Sequence, residues 1–298
     1  MKTITVAGSG VLGSQIAFHA AFHGYNVALY DISDAVLHKA RGIFNDLAAS
    51  YQHDVHASER QTNEAVERVR FTSDLGEALS GAELVIEAIP EVLEIKQDFF
   101  RKAGALAAPE TVFATNTSTL LPSQFAADTG RPERLLALHF SNRIWLAPVV
   151  EVMGHAGTDN AVFEYGLSFV RSLQLMPLPL YKEQPGYITN SLIMPWLASA
   201  LKLWADDVTD YQTIDRTWMV AGQSSFVPFA VVDLGGVALV QTIMLNMAQA
   251  QGDALLEKAA NRLKTDYVDK GKLGRASGEG FYSYPNPAFM GEGFLKAV

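Results

Sequence analysis

The sequence predicts an α/β fold in which a doubly wound, mostly parallel sheet is followed by an all-α helical domain. Three observations predict it. Apolar β-rich runs alternate with helical patterns over the first 182 residues, a glycine-rich turn joins the first strand to the first helix, and no strand pattern returns afterwards. Because 298 residues exceed what one hydrophobic core usually holds, we expect two domains, residues 1–182 and 183–298.

The first half opens with a strand, a helix and a second strand. Residues 2–7 are β-rich, residues 11–24 show the helical spacing of apolar side chains, and residues 26–31 form the next predicted strand. A long polar helix is predicted from Ser33 onward. The charged segment that ends at Glu67 is predicted to be a solvated arm.

The other predicted elements follow the same alternation until the second half. A helix is predicted from Val92 to Ala107, between two buried strands. The further predicted strands, of which the last is an edge strand because its prolines cannot donate to a neighbour, are 82–89, 111–118, 134–140, 148–154 and 175–181. The helical patterns of the second half are 187–207, 210–221, 227–250 and 253–270.

The composition is that of a globular protein without disulfides. Hydrophobic residues make up 49% of the chain and charged residues 18%, and there is no cysteine, which excludes thiolate zinc sites and a cysteine nucleophile. The formal net charge of -9 argues against a surface built for nucleic-acid phosphates or anionic lipid. The N-terminal apolar run is too short for a signal peptide, so we expect a cytoplasmic protein without nucleic-acid or membrane partners.

The glycines of the first turn predict a nucleotide site. Gly8, Gly10 and Gly13 have the G-x-G-x-x-G spacing, and Asp31 ends the second strand eighteen residues beyond Gly13. This context is that of a Rossmann-type dinucleotide site, with the pyrophosphate at the helix N-terminus and the carboxylate on the ribose hydroxyls. Since a carboxylate repels a 2'-phosphate, NAD is favoured over NADP.

The stretch LHFSNRIWLAPVVEVMG, residues 138–154, predicts a general base. If strands 134–140 and 148–154 are antiparallel neighbours, positions whose numbers sum to 290 face one another, and His139 then pairs with Glu151. A carboxylate beside a histidine fixes its tautomer, orients its ring and stabilises the imidazolium that forms on protonation. A pair of this kind is also compatible with two groups that only satisfy each other at a sheet margin.

Further polar residues are predicted to line the same cleft. Asn116, Thr117 and Ser118 end the preceding strand, at the carboxyl edge of the sheet where ligands collect. Asn142 follows three residues after the histidine, and Asn190 lies on the first turns of the helical domain. Each alone is typical of a cap or turn residue, but together they predict one site.

Over nearly its whole length the chain resembles the L-3-hydroxyacyl-CoA dehydrogenases. Three motifs carry the resemblance. The family's His-Phe-x-Asn segment followed by Glu matches His139, Phe140, Asn142 and Glu151, and its Asn-Thr-Ser strand end matches residues 116–118. Its Pro-Gly-Phe segment with an asparagine matches Pro185-Gly186-Tyr187 with Asn190. Glu91 and Lys96 fall where the family has a cofactor-contacting Glu and Lys. Residues 274–284 (GRASGEGFYSY) resemble its C-terminal signature.

The resemblance implies NAD-linked oxidation of a short-chain L-3-hydroxyacyl-CoA to the 3-ketoacyl-CoA. His139 would remove the hydroxyl proton, Glu151 would hold the imidazole, Ser118 and Asn190 would position the oxygen, and Asn142 would support the histidine or that oxygen. The candidate cofactor-binding residues are Gly8, Gly10, Val11, Leu12, Gly13, Asp31, Glu91, Lys96 and Asn116, and no metal site is expected.

A homodimer through the helical domain is also expected. That domain carries more apolar helical residues than a core of its size needs, among them Trp196, Leu197, Leu201, Trp204, Trp218 and Met219. Packing of these residues inside the domain is the alternative.

Three departures from the family pattern concern the substrate more than the reaction. Arg143 replaces the proline after His-Phe-x-Asn, Val227 replaces the glycine before Pro228, and Ala276 replaces a lysine of the C-terminal signature. Arg143 could pair with an anionic group of the substrate or lie at the rim of the site. The candidates for binding the 3'-phosphate of CoA, by proximity in sequence alone, are Lys39, Arg41, Arg68 and Arg70.

Other functions remain open or are excluded by single residues. Dehydrogenases of the phosphogluconate type use a lysine four residues before the asparagine, and Gly186 occupies that position here. The gulonate dehydrogenase and lens-crystallin branch shares the histidine and glutamate and would accept a sugar acid without CoA. A silent NADH-binding protein would need the glycines and Asp31 but no base, and the intact polar set argues against it.

Overall fold

The computed structural model describes residues 2–296, and its first part is built on an eight-stranded sheet. The strands are β1 (Thr3–Ala7), β2 (Asn26–Tyr30), β3 (Val69–Thr72), β4 (Leu84–Glu87), β5 (Val112–Thr115), β6 (Leu135–Phe140), β7 (Val149–Gly154) and β8 (Met176–Leu180). Their order in the sheet is β3-β2-β1-β4-β5-β6-β7-β8. Neighbouring strands are parallel except β6 and β7, which are antiparallel. The predicted doubly wound, mostly parallel sheet is confirmed.

Helices alternate with the strands in the first part of the chain, and only helices follow β8 among the longer elements of the described residues. Those associated with the sheet are α1 (Val11–Phe22), α2 (Asp34–Asp54), α3 (Glu59–Glu67), α4 (Leu75–Leu79), α5 (Leu93–Leu106) and α6 (Asn160–Ser172). The later helices are α7 (Tyr187–Ala205), α8 (Tyr211–Gly222), α9 (Pro228–Gly235), α10 (Val237–Gln251) and α11 (Ala254–Asp266). The predicted all-α second part is therefore confirmed among the described residues.

The central strands are buried on both faces because helices cover each side of the sheet. Ile4 and Val6 of β1 pack into one apolar cluster with residues of α1, whereas Ala7 and Val85 pack into a second cluster with Phe100 of α5. A strand that is buried on both faces has continuous apolar sequence rather than alternation. This is why β1, β4 and β5 were recognisable in the sequence.

The prediction of a solvated arm before Glu67 is wrong. Helix α3 begins with a capping box between Ser58 and Gln61, and Thr62 and Ala65 are fully buried. Most of the segment is charged, but two small buried positions suffice to pack a short helix against α1. Strand β3 and the one-turn helix α4 were not predicted, since four residues that include a charged arginine give little periodic signal.

The pairing of β6 with β7 follows the predicted register. Their partners include Leu136 with Gly154 and His139 with Glu151, so the rule that paired numbers sum to 290 is confirmed. Strand β8 lies at the edge of the sheet, and its residues Pro177 and Pro179 pair with β7 in register. Their missing N–H groups suit an edge, as predicted.

Contacts between Cα atoms divide the chain into two compact units, one up to Ile188 and one from Thr189. In the second unit the 227–250 pattern is a helix pair, because Gly236 has a φ of +90° and breaks it. Among the described residues no single helix is long and apolar enough to cross a membrane. Helices α9 and α10 have that length and apolar character only when taken together, and the pair is bent by 107°. Residues of both helices, such as Phe229 and Met244, are fully buried in the core of this unit.

Candidate active site

The turn between β1 and α1 has the shape that the glycine spacing predicts. Gly8 has a φ of +102°, and a Cβ there would lie 2.3 Å from the carbonyl oxygen of Ala88. A Cβ on Gly13 would lie 1.9 Å from the carbonyl oxygen of Gly8. A Cβ on Gly10 would meet no described atom within 4 Å, so its open side faces space in which a ligand can approach the backbone. The turn and the helix N-terminus therefore fit a pyrophosphate.

Asp31 is fixed at the end of β2 by the same turn. Its Oδ2 accepts hydrogen bonds from the backbone N–H and the hydroxyl of Ser9, both at 2.7 Å, and its Oδ1 accepts from the N–H of Ile32 at 2.8 Å. Three donors orient the carboxylate before any cofactor arrives. The position matches the ribose-binding carboxylate of a dinucleotide site.

The imidazole of His139 is held at both nitrogens. Its Nδ1 lies 2.9 Å from Oε2 of Glu151, and its Nε2 lies 3.1 Å from the hydroxyl of Ser118. Glu151 is buried, and the histidine side chain is 13% exposed. Since a carboxylate can only accept, Nδ1 carries the hydrogen, which leaves Nε2 with the lone pair. The ring can therefore take a proton at Nε2 from a group on the Ser118 side.

The first turn of α7 also contacts this pair. The ring of Tyr187 stacks on the imidazole, with 4.4 Å between ring centroids and 16° between planes. The backbone N–H of Ile188 donates to Oε1 of Glu151 at 2.9 Å. Sequence reasoning matched Tyr187 only as part of a motif and missed this contact. The signal was present in the aromatic residue that follows Pro185-Gly186.

A network of hydrogen bonds and charges around Glu91 supports the Ser118 turn. Oε1 of Glu91 accepts from the N–H groups of Ser118 and Thr119, both at 2.9 Å, and from the Thr117 hydroxyl. Burial alone would raise the pKa of Glu91, but the hydrogen bonds from Thr117 and Thr119 and the charge of Lys96 outweigh it and lower the pKa to about 2. Glu91 is therefore an anion that organises the turn.

Lys96 joins this turn to the interior of the sheet. Its Nζ lies 3.2 Å from Oε2 of Glu91 and 2.5 Å from Oε1 of Glu87. Lys96 and Glu87 are both buried, and Oε2 of Glu87 accepts from the Thr115 hydroxyl at 2.7 Å. Glu87 was missed in the sequence because it reads as the polar end of a buried strand. A buried lysine needs such a partner.

The remaining predicted site residues lie on several different elements. Oδ1 of Asn116 accepts from the N–H of Phe140 at 2.9 Å and so ties β5 to β6. Asn142 is exposed on the loop after β6. In the described part of the chain it makes no hydrogen bond to His139. Asn190 is half-buried on α7 in the second unit, and its contact with the substrate stays a prediction. Val11 and Leu12 begin α1.

Arg143 is tied to the end of α2. Its guanidinium lies 3.3 Å from Oδ2 of Asp54, and its backbone N–H donates to Oε1 of Gln15 at 2.7 Å. Asp54 also accepts from the indole N–H of Trp145 at 2.8 Å. Hydrogen bonds from Trp145 and His53, together with the arginine, lower the pKa of Asp54 to about 2. The loop after His139 is thereby anchored to α2, through partners that the sequence did not reveal.

The geometry provides a place for each of the two acceptors that oxidation of an alcohol requires. A bound dinucleotide supplies the hydride acceptor, and the imidazole supplies the proton acceptor. Among the described residues no group of three or more metal-ligating side chains is assembled. These features together define the class of NAD-dependent oxidoreductases.

Comparisons with known proteins narrow this class. Residues 3–184 match the family model for the "3-hydroxyacyl-CoA dehydrogenase, NAD binding domain", and residues 186–284 match that for the "3-hydroxyacyl-CoA dehydrogenase, C-terminal domain". A "3-hydroxybutyryl-CoA dehydrogenase" of Bradyrhizobium diazoefficiens is 30% identical over 285 residues, covering 95% of this chain and 96% of that protein. The chain belongs to the 3-hydroxyacyl-CoA dehydrogenase family.

Proteins named for other reactions are also similar to this chain. A solved structure described as "Substrate-directed dual catalysis of dicarbonyl compounds by diketoreductase" has a TM-score of 0.90 and 42% identity, covering 95% of this chain and 99% of that chain. A "5-formyl-3-hydroxy-2-methylpyridine 4-carboxylate 5-dehydrogenase" of Mesorhizobium japonicum is 28% identical over 289 residues, covering 95% of this chain and 91% of that protein. Similarity thus extends beyond CoA thioesters.

Proposed function

We propose that this protein interconverts a 3-hydroxyacyl and a 3-ketoacyl group with NAD, and that His139 is the acid-base residue. The observation that carries the proposal is the imidazole held at Nδ1 by Glu151, with the lone pair of Nε2 facing the Ser118 hydroxyl. NAD accepts the hydride when it is bound. His139 takes the hydroxyl proton at Nε2, and the nearby carboxylate of Glu151 stabilises the resulting imidazolium.

The first candidate substrate is a short-chain L-3-hydroxyacyl-CoA. The family membership and the 3-hydroxybutyryl-CoA relative support it. In this candidate Ser118 donates a hydrogen bond to the substrate oxygen, with Asn190 and Asn142 as further positioning residues. Glu91, Lys96 and Asn116 would face the cofactor.

The second candidate is a small dicarbonyl or 3-hydroxy acid without CoA. The diketoreductase relative, at 42% identity, supports it, and so do the partners of three of the four candidate phosphate-binding cations. Arg68 lies 3.5 Å from Glu64, Arg70 pairs with Glu77, and the guanidinium of Arg41 lies 4.3 Å from the ring centroid of Phe71. Cations that are already partnered bind a 3'-phosphate at the cost of those contacts.

An assay of NADH oxidation separates these candidates. Acetoacetyl-CoA and ethyl acetoacetate present the same acyl group with and without CoA. A kcat/KM for the thioester at least tenfold above that of the ester supports the first candidate, and the reverse supports the second. Turnover of neither compound, nor of a keto sugar acid, by protein that binds NADH would favour a silent NADH-binding protein.

The role of His139 is tested in the same assay. His139→Gln is expected to lower kcat by about 10²- to 10⁴-fold, the usual contribution of a general acid-base group, with NADH binding unchanged. His38→Gln is the matched control, because His38 is exposed on α2. Loss of NADH binding in His139→Gln, or wild-type turnover, would contradict the assignment.

We also propose that the protein is a homodimer through its helical unit. Of the predicted interface residues, Leu197, Leu201 and Trp204 are buried in the unit's own core. Trp196 and Trp218 instead join Leu192, Ile193 and Phe226 around a cavity of about 290 Å³, and Leu192 is 69% exposed. An exposed aromatic cluster of this kind is typical of a protein interface.

A further inference from the structure

The chain between β8 and α7 turns sharply where it contacts His139 and Glu151. Gly186 has a φ of +77° and Tyr187 a φ of +54°, and the N–H of Tyr187 donates to the carbonyl of Gln184 at 3.0 Å. A left-handed backbone is common for glycine but rare and strained for a bulky residue. Strain at a single aromatic residue indicates that the surrounding structure requires that side chain to point in one direction.

The turn places two consecutive residues on the two members of the pair. The fully buried ring of Tyr187 lies parallel to the imidazole of His139, with 4.4 Å between centroids and 16° between planes. The next N–H, that of Ile188, donates to Oε1 of Glu151, whose Oε2 holds His139. The left-handed turn therefore brings a ring and an N–H from adjacent residues onto His139 and Glu151.

Three neighbours therefore restrict the imidazole. Glu151 and Ser118 fix its two nitrogens, and each of these bonds allows some tilt of the ring plane. The Tyr187 ring covers one face and prevents that tilt. The face of an aromatic ring carries partial negative charge. The Tyr187 ring therefore attracts the imidazole more strongly when the imidazole is protonated.

We propose that Tyr187 is a positioning residue for His139, which holds the imidazole plane and stabilises the imidazolium formed during alcohol oxidation. This inference rests on the proposed role of His139 as the acid-base residue. Tyr187 acts through its ring face and transfers no proton itself.

The charged surroundings agree with a neutral ring. The charged groups that act on Tyr187 include the carboxylates of Glu91, Glu151, Glu87 and Glu183. Lys96 neutralises part of the charge of Glu87 and Glu91. Burial and the carboxylates of Glu91 and Glu151 raise the pKa of Tyr187 far above its ordinary value. The raised pKa favours the neutral, protonated form of the phenol.

A purely structural role is the competing explanation. Tyr187 packs in a small apolar cluster with Ala137, Met153 and Leu180, and an aliphatic side chain of similar volume would also fill that space. The two explanations differ in what the aromatic face contributes. Tyr187→Leu and Tyr187→Met keep an apolar filling without the face, whereas Tyr187→Phe keeps the face.

Steady-state kinetics over pH test the proposal. For Tyr187→Leu and Tyr187→Met we expect kcat for alcohol oxidation to fall about tenfold or more, with the KM for NAD unchanged. The acid limb of the pH profile is expected to move to lower pH by about half a unit, because the imidazolium has lost a stabilising contact. Tyr187→Phe is expected to match the wild type. Tyr181→Leu is the matched control, since Tyr181 is 89% exposed.

Each outcome has a defined meaning. Wild-type kcat and an unmoved acid limb in Tyr187→Leu or Tyr187→Met would overturn the proposal, as would an equal loss in Tyr187→Phe, which would assign the effect to the hydroxyl. If the wild type oxidises no tested alcohol, the proposed function fails, but NMR still tests this inference. The imidazole signals of His139, assigned by their absence in His139→Gln, should titrate at lower pH in Tyr187→Leu, and an unchanged titration would overturn it.

Discussion

Glu91 illustrates how one side chain can define a turn. Its Oε1 accepts from three consecutive residues, Thr117, Ser118 and Thr119, and its Oε2 faces Lys96. The hydroxyl that reaches His139 belongs to the middle residue of this set. The geometry of the site therefore depends on a carboxylate that is itself in another loop.

Replacing this carboxylate tests that dependence. In Glu91→Gln an amide N–H₂ either faces the Lys96 ammonium or displaces one of the N–H donors, so part of the network is lost. We expect kcat to fall about ten- to a hundredfold, as a small displacement of a positioning group can cause. Steady-state kinetics with saturating NAD measure it.

The control for this variant lies on the next helix. Glu94→Gln removes an equal charge from an exposed position of α5 and should leave kcat unchanged. Because Glu91 is also a predicted cofactor contact, NADH affinity is measured in parallel. A loss confined to NADH affinity, with kcat intact, would show that Glu91 serves the cofactor and does not hold the Ser118 turn.

At the scale of elements, the C-terminal segment is held to two helices by buried carboxylates. Asp233 of α9 accepts from the N–H groups of Phe281 and Tyr282, both at 2.8 Å. Asp215 of α8 accepts from the Tyr282 hydroxyl at 2.7 Å. A Cβ on Gly280 would lie 2.1 Å from Oδ1 of Asp233. The glycine and tyrosine of the C-terminal signature therefore have a structural use within the helical unit.

The stability of this arrangement should depend on pH. Burial raises the pKa of Asp215 to about 7, and the nearby Asp233 adds to the effect. An unfolded aspartate ionises near pH 4, so between pH 4 and 7 the folded state binds one proton more than the unfolded state. The free energy of unfolding therefore falls as pH rises through this window and is constant above it with respect to this group.

Asp215→Asn removes this dependence while it keeps a neutral polar side chain. Relative to wild type, the variant should gain about 2 to 3 kcal/mol between pH 5 and pH 8. Urea unfolding followed by tryptophan fluorescence measures it, since Trp196, Trp204 and Trp218 lie in this unit. An equal difference between variant and wild type at both pH values would show that Asp215 does not titrate in this window.

At the scale of the whole molecule, the helical unit presents the exposed aromatic cluster that we assign to a dimer. Trp196 stacks on Phe226 with 5.6 Å between centroids and lies 5.2 Å from Trp218. Trp218 is 40% exposed. Light scattering of the wild type is expected to give twice the chain mass, and Trp218→Asp is expected to give monomers, because a buried interface does not accept an unpaired charge.

The matched control for the dimer lies on the sheet-bearing unit. Leu106 is 58% exposed on α5, so Leu106→Asp makes a similar change away from the aromatic cluster and should leave the mass unchanged. A wild-type protein of single-chain mass would refute the dimer. Dissociation by Leu106→Asp instead would assign the interface to the other unit.

Much of the fold followed from local sequence. Buried strands of continuous apolar residues, the glycine turn with Asp31 and the proline-bearing edge strand each carry their signal within a few residues. The pair of His139 and Glu151 could be predicted because, once two strands are taken as antiparallel neighbours, one register gives every facing pair the same sum of position numbers. Strand β3 and helix α3 could not, since their burial depends on α1 and β2, to which their own sequence gives no guide.

The order of the elements, the dinucleotide turn and the facing of His139 by Glu151 were determined by the sequence alone, because glycine conformation and the two-residue period of a strand are local properties. The ring of Tyr187 on that histidine, the salt bridge of Glu87 with Lys96 and the anchor of Arg143 on Asp54 were decided only by the tertiary structure. These contacts join side chains from separate elements, and which residues meet there depends on how strands and helices pack, which no local pattern encodes.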